Sequence, residues 1–321
     1  MKFIDHPIKA ERDSYERAID KLAESNRGTE GLRTIYRLGN ITTPGISDID
    51  LLFVFEDDCR CRLNGMEALS DSEKRLFTHG IMAMPQKFFH RNNYFAIWSR
   101  HEVIWGERTL QGPERSKEEE HALGIQTAME FFFANYMDLA IQEAYGVFKL
   151  RALLQHMKGL LYDLELIGQQ DTEITGPLLE LKEIIRNWFN ESASLKIITD
   201  WLRGFLPLYR SYVQQLFNTY SLYLPPMDEY RIAKNMTLLN GHEPGCLRRG
   251  LLLPSQLSFL NRNYFKLQNR LNRFIFTCPV TNRSAPINEE RFSFLKEMKA
   301  YNRMHLPNFM TMTTSLTAKI I

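Results

Sequence analysis

The sequence predicts an α+β protein: an N-terminal mixed sheet with helices, followed by an all-α helical domain. Three observations carry this reading. Leu51-Leu52-Phe53-Val54-Phe55 is a short apolar run, introduced by Asp48 and Asp50 and by a glycine-containing turn. Other short strand-like runs follow it up to about residue 110. Past Gln111-Gly112-Pro113, apolar residues fall at helical spacing and hold it for about fifty residues. The polar stretch between these regimes sets the expected boundary, giving domains of residues 1–112 and 113–321.

The elements follow in order. Residues 8–26 place Ile8, Tyr15, Ala18, Ile19 and Leu22 on one helical face, and Gly28 and Gly31 close the helix. Thr34 to Leu38 is a short strand. Asp48 to Phe55 is the strongest strand signal, with apolar residues on both faces past the aspartates, as in a strand covered on both sides. A short helix is expected at 71–78, and strands at Ile81–Met84, Tyr94–Trp98 and Glu102–Trp105. Ser116 followed by Glu118, Glu119 and Glu120 starts a long helix, because acids in the first turn complement the helix dipole. Gly146 divides its apolar stripe in two, and Gly168 closes the second part. Further helices are expected at 177–190, 193–203, 206–220, 255–275 and 287–303, with a loosely ordered tail from Thr311. The 255–275 segment shows a seam of Leu257, Leu260, Tyr264, Leu267, Leu271 and Phe274 at spacings of three and four.

Composition bounds the function. Hydrophobic residues make up 44% of the chain and charged residues 24%, as in a folded domain. A net charge of +2 does not favour extended nucleic-acid binding, and no segment has the roughly 20 apolar residues needed to span a bilayer. The N-terminus lacks the apolar core of a signal peptide, so a cytoplasmic protein without a membrane partner is expected. Cys59 and Cys61 stand one residue apart, which is not a zinc-knuckle spacing, and the four cysteines read as reduced thiols.

The chemistry centres on Asp48 and Asp50. Residues two apart on a strand project on the same side, roughly 6.5 to 7 Å apart. Carboxylates so placed can share a hard divalent cation that also takes substrate phosphates. The alternative is a pair of carboxylates solvated at a strand start.

The segment Gly39-Asn40…Gly45-Ile46-Ser47-Asp48-Ile49-Asp50 resembles the signature of the nucleotidyltransferase superfamily, which includes DNA polymerase β and antibiotic nucleotidyltransferases. That signature is Gly-Ser, a short loop, then Ser-Asp-x-Asp on a strand. The resemblance implies a nucleotidyltransferase-like N-terminal domain that transfers a nucleoside monophosphate from an NTP to a hydroxyl acceptor. Asp48 and Asp50 would be the catalytic residues and hold Mg²⁺ or Mn²⁺. Gly39, Asn40 and Ser47 would bind the nucleotide, with Asn40 where relatives carry serine. The acceptor, a small molecule or a macromolecule, would be held by the helical domain. Such enzymes place a third acid on a neighbouring strand. The segment His79-Gly80-Ile81-Met82-Ala83-Met84 has none, and Glu102 is the best substitute. The missing acid and Asn40 leave open a degenerate member of the fold that binds a nucleotide or a protein.

Arg151 and His156 resemble the Arg-x4-His element of HEPN ribonucleases, which gives an RNA-directed alternative. Arg262, Lys266, Arg270 and Arg273 form a basic stripe beside the seam of the 255–275 segment, and a solvated outer face is its simpler reading. His79, His90 and His101 do not form a recognisable metal triad.

Overall fold

The computed structural model describes residues 1–63, 65–91, 101–108, 114–190 and 195–320. The chain is mixed α and β and divides into two compact units, neither continuous in sequence. One unit comprises Ile8–Leu123 with Glu289–Thr313, and the other Met1–Pro7, Gly124–Asn288 and Thr314–Ile320. The grouping thus differs from a single cut at 112/113. Residues 111–113, and the strand expected at Tyr94–Trp98, lie outside the described residues.

The unit holding Asp48 is built on a four-stranded sheet. Its strands are β2 (Leu32–Leu38), β3 (Asp50–Phe55), β4 (Met82–Pro85) and β5 (His101–Gly106), in the order β4-β3-β2-β5. β3 is central, antiparallel to β2 and parallel to β4. Leu52, Phe53, Val54 and Phe55 are all 0% exposed, which explains why this strand is apolar on both faces. Burying each such side chain stabilises the fold by roughly 1.5–3 kcal/mol. Helix α1 (Arg12–Asn26) buries Tyr15, Ala18, Ile19 and Leu22 of the expected face together with Ala23, whereas Ile8, expected on that face, precedes the helix and is 58% exposed.

The late segment 289–313 belongs here because it completes this core. Phe309 packs its ring 5.7 Å from Phe53 and 5.4 Å from Phe55. Met310 exchanges backbone hydrogen bonds with Ile81 and Ala83, covering the open edge of β4. Asn302 Nδ2 donates to the Ala83 carbonyl at 2.7 Å.

The other unit pairs β1 (Lys2–Ile4) in parallel with β6 (Val147–Lys149). Helix α4 (Lys117–Tyr145) is separated from α5 (Leu150–Leu166) by Gly146, which adopts φ +65°. The break expected at this glycine is therefore present. α6 (Thr175–Arg186) and α7 (Leu195–Thr219) follow. α7 runs through Pro207 where two helices were expected, because its buried stripe of Leu202, Phe205, Leu206 and Tyr209 continues across the proline.

This unit is not all-α. β8 (Tyr230–Ala233), β9 (Met236–Asn240), β10 (Gly245–Gly250) and β11 (Asn272–Cys278) form a sheet in the order β10-β11-β9-β8. The helix expected over 255–275 is replaced by a 3₁₀ turn at Ser255–Leu260, helix α8 (Arg262–Leu271) and then β11. Asn261 takes φ +51° and separates the first two. From Asn272 the burial alternates with period two, so Phe274, the last residue of the apparent helical seam, is a strand residue.

The tail is ordered. Thr314 and Thr317 are buried, and a final short helix spans Thr317–Ile320. No helix among the described residues is long and apolar enough to cross a membrane.

Candidate metal centre

The loop between β2 and β3 is held from beneath. Gly39, directly after β2, has φ +66°, and Gly45 has φ +87°, a left-handed conformation in which a side chain is strained. A one-turn helical bend follows, with the Ile46 and Ser47 amides both donating to the Thr43 carbonyl. Tyr15 of α1 is fully buried below this bend. Its hydroxyl accepts from Gly45 N at 2.8 Å and donates to the Ser47 carbonyl at 2.8 Å. Ser47 is 9% exposed, and its Oγ accepts from the Thr43 amide at 3.0 Å. Ser47 therefore braces the loop from inside, whereas Asn40 is exposed and Gly39 half-buried at its mouth. A Cβ at Gly39 would meet nothing within 4 Å, so its positive φ, not crowding, is what selects glycine there.

Asp48 lies just before β3, and Asp50 is its first residue. Both are half-buried, and the intervening Ile49 points into the core. The Ile49 amide donates to Leu76 O at 3.1 Å, which draws the segment before β4 alongside. Parallel pairing sets Leu52 opposite Met82, so stepping back two residues brings Asp50 level with the start of that segment. Thr78 donates its hydroxyl to Asp48 Oδ2, and His79 Nε2 lies 2.7 Å from Asp50 Oδ1. One ligand atom each from Asp48, Asp50 and His79 fall within 4.8 Å of one another.

His79 is fixed on both ring nitrogens. Nδ1 lies 2.7 Å from the Gly80 carbonyl, which can only accept, so Nδ1 carries hydrogen. The pKa of His79 is pushed up to about 9, chiefly by its hydrogen bond to Asp50 and against the opposing effect of burial. At neutral pH the ring is an imidazolium that donates from Nε2 to Asp50. A divalent ion would take that position by displacing the Nε2 proton. The Nδ1–H···O=C bond would then orient the ring, as backbone carbonyls commonly do for metal-ligating histidines. The three groups therefore fit a divalent cation, with part of the site open to water and substrate oxygens. An imidazole beside two carboxylates suits Mn²⁺ better than an all-oxygen set would.

Glu102 is not brought to this cluster. Its register partner on β2 is Arg37, whereas Asp50 pairs with Leu38, so Glu102 and Asp50 occupy opposite faces of the sheet. Arg37 bonds Glu102 and also grips Glu16 at 2.9 and 3.0 Å. The expected third acid is thus a structural partner of Arg37, and the side chain that stands beside the two aspartates is His79. The segment His79–Met84 thus contributes an imidazole to the cluster where an acid was expected.

The remaining candidates lie in the other unit. Arg151 and His156 both belong to α5, Arg151 half-buried and His156 exposed. Five residues turn them about 140° apart around the helix, so they do not converge.

No family model matches the chain, and no curated protein or solved structure matches it.

Proposed function

We propose that the protein is a nucleotidyltransferase that works with a divalent ion held by Asp48, Asp50 and His79. The observation that carries this reading is the convergence of these three ligand atoms within 4.8 Å, directly after the positive-φ loop from Gly39 to Ser47. The chemistry is attack by an acceptor hydroxyl on the α-phosphorus of an NTP. The new P–O bond forms as the α–β phosphoanhydride bond breaks, pyrophosphate leaves with the electron pair, and solvent takes the hydroxyl proton. A bound Mg²⁺ or Mn²⁺, held by these three residues, would supply positive charge to offset that of the triphosphate. Asp48 and Asp50 supply the anionic oxygens that hold it, Thr78 orients Asp48, and His79 completes the set. Gly39 and Asn40 offer an open, amide-bearing loop mouth to the triphosphate. Tyr15 holds that loop in shape.

The test is pyrophosphate release from each of the four NTPs with Mg²⁺ or Mn²⁺, repeated with Asp48→Asn and Asp50→Asn. Release that depends on metal and is lost in both variants supports the reading. Release that survives both substitutions overturns it.

A second reading is favoured by one observation: a histidine, not a carboxylate, stands beside Asp48 and Asp50. On this reading the site binds a nucleotide or a protein partner without turnover. Calorimetry that detects metal-dependent nucleotide binding while no pyrophosphate appears would select it.

A further inference from the structure

We propose that the outer face of the β10–β11 ribbon, with the adjoining side of α8, is a docking surface for an anionic lipid bilayer. The whole-chain charge of +2 conceals a local imbalance: residues 230–283 carry nine Lys and Arg against a single acid, Glu243. On β11, Asn272, Phe274, Phe276 and Cys278 point inward, which leaves Arg273 and Ile275 on the outer face. Antiparallel register sets Leu247 opposite Ile275 and Arg249 opposite Arg273. Beyond the strand ends the row continues, with the Leu251 amide bonded to Leu271 O at 3.3 Å. The face therefore reads as rungs, apolar, cationic, apolar.

Arg273 donates to the Asn272 carbonyl at 3.2 Å, but the charge of the cationic rung is not neutralised and the leucines of the outer rungs are not covered. Arg249 and Arg273 are exposed like charges directly opposite each other, an arrangement that costs stability unless an anion offsets it. Arg273 lies against the last turn of α8, with its guanidinium 3.5 Å from the Arg270 carbonyl, so Arg270 and Lys266 extend the same charged surface. None of these four cations has an acidic partner within 4 Å among the described residues. The leucines beside them are equally open: Leu247 is 50% exposed, Leu251 66% and Leu271 42%.

The two features together select the occupant. Nucleic acid would supply phosphates to the arginines, but its bases stack on aromatic side chains, and the rungs beside these arginines carry leucine and isoleucine instead. A bilayer surface suits both kinds of rung. Anionic headgroups attract Lys and Arg, and the acyl boundary just beneath accepts leucine side chains. The proposal concerns residues far in sequence from Asp48 and does not rest on the nucleotidyl-transfer reading.

Flotation of the full chain with vesicles tests it. Expected is partition onto phosphatidylcholine vesicles containing phosphatidylglycerol, little onto phosphatidylcholine alone, and weakening as salt is raised. Arg249→Glu with Arg273→Glu should cut partition by more than about tenfold. Leu251→Ser with Leu271→Ser, which leaves the charge unchanged, should cut it roughly tenfold as well. The proposal is overturned if the wild-type chain ignores phosphatidylglycerol vesicles, or if it binds a single-stranded RNA oligonucleotide in their place. Leucine variants that partition like wild type also overturn it. The wild-type arms decide the matter if a variant fails to fold.

Discussion

His79 Nε2 sits 2.7 Å from Asp50 Oδ1, and this contact places a cation where two carboxylates meet. Without a metal it offsets the repulsion between Asp48 and Asp50. With one, the same nitrogen becomes a ligand. Two predictions follow from this dual role.

The first concerns stability and pH in the metal-free protein. The folded pKa of His79 is raised from the ordinary 6.5 to about 9. A group whose folded pKa is raised contributes stability that is fully present below the unfolded pKa and is lost as pH rises through the folded one. The contribution of His79 should therefore be complete below about pH 6.5 and fade up to about pH 9, trimmed by solvent because the ring is 32% exposed. Melting temperatures of wild type and His79→Asn in a chelator should differ most near pH 6 and converge towards pH 9. A constant difference across that range would remove the ion pair from the account.

The second concerns metal choice. Ligation at Nε2 releases a proton, so metal affinity should rise with pH up to about 9. Wild type should prefer Mn²⁺ over Mg²⁺, and His79→Asp, which restores an all-oxygen set, should narrow that preference. Asp48→Asn and Asp50→Asn should each weaken Mn²⁺ binding by more than about tenfold. Glu102→Gln should leave it unchanged, because Glu102 faces away and serves Arg37. Titration followed by Mn²⁺ electron paramagnetic resonance reads all four. A loss of binding in Glu102→Gln would restore it as the third acid.

These contrasts show what the sequence can and cannot carry. Asp48 and Asp50 were legible because they stand two residues apart at the mouth of one strand, where extended backbone puts them on one side without knowledge of the fold. His79 was not, because its approach depends on the parallel pairing of β3 with β4, a contact between segments far apart in sequence. Along the chain His79 grouped only with His90 and His101, and nothing local tied it to the aspartates at the mouth of β3. The sheet of residues 230–278 was missed for a different reason. Spacings of three and four from Leu257 to Phe274 suit a helix, and only Asn261 and the alternation from Asn272 betray the breaks. In α7, continuous burial along one face outweighed Pro207, so local propensity pointed to a break that packing does not allow.

Tyr15 gives the third prediction. Its hydroxyl is the buried link between α1 and the loop that carries Gly45 and Ser47. Tyr15→Phe keeps the ring and its packing but leaves the Gly45 amide without its acceptor and the Ser47 carbonyl without that donor. Unpaired groups of this kind cost about 1–3 kcal/mol. The expected result is a lower melting temperature and weaker Mn²⁺ binding, since Asp48 and Asp50 follow Gly45 by three and five residues. Unchanged melting would mean that water replaces the hydroxyl.

The fourth prediction tests the ordered tail. Glu130 of α4 is 0% exposed, a position in which a carboxylate is tolerated only with hydrogen-bond donors around it. Gln126 Nε2 donates at 2.7 Å, Thr317 Oγ1 at 2.5 Å, and Thr314 Oγ1 donates as well. Two of these donors come from the segment that the sequence left as a loose terminus. Hydrogen bonds to a charged group are worth about 1.5–3 kcal/mol each, so Thr314→Val with Thr317→Val should destabilise the fold by several kcal/mol. The valines keep the shape of the threonines, so the loss isolates the hydroxyls from the packing. Adding Glu130→Gln should recover part of the loss, because a neutral amide tolerates the same cavity better than an underserved carboxylate. Thermal denaturation of the double and triple variants measures both effects. A triple variant less stable than the double would show that the charge of Glu130 is held by groups other than the tail.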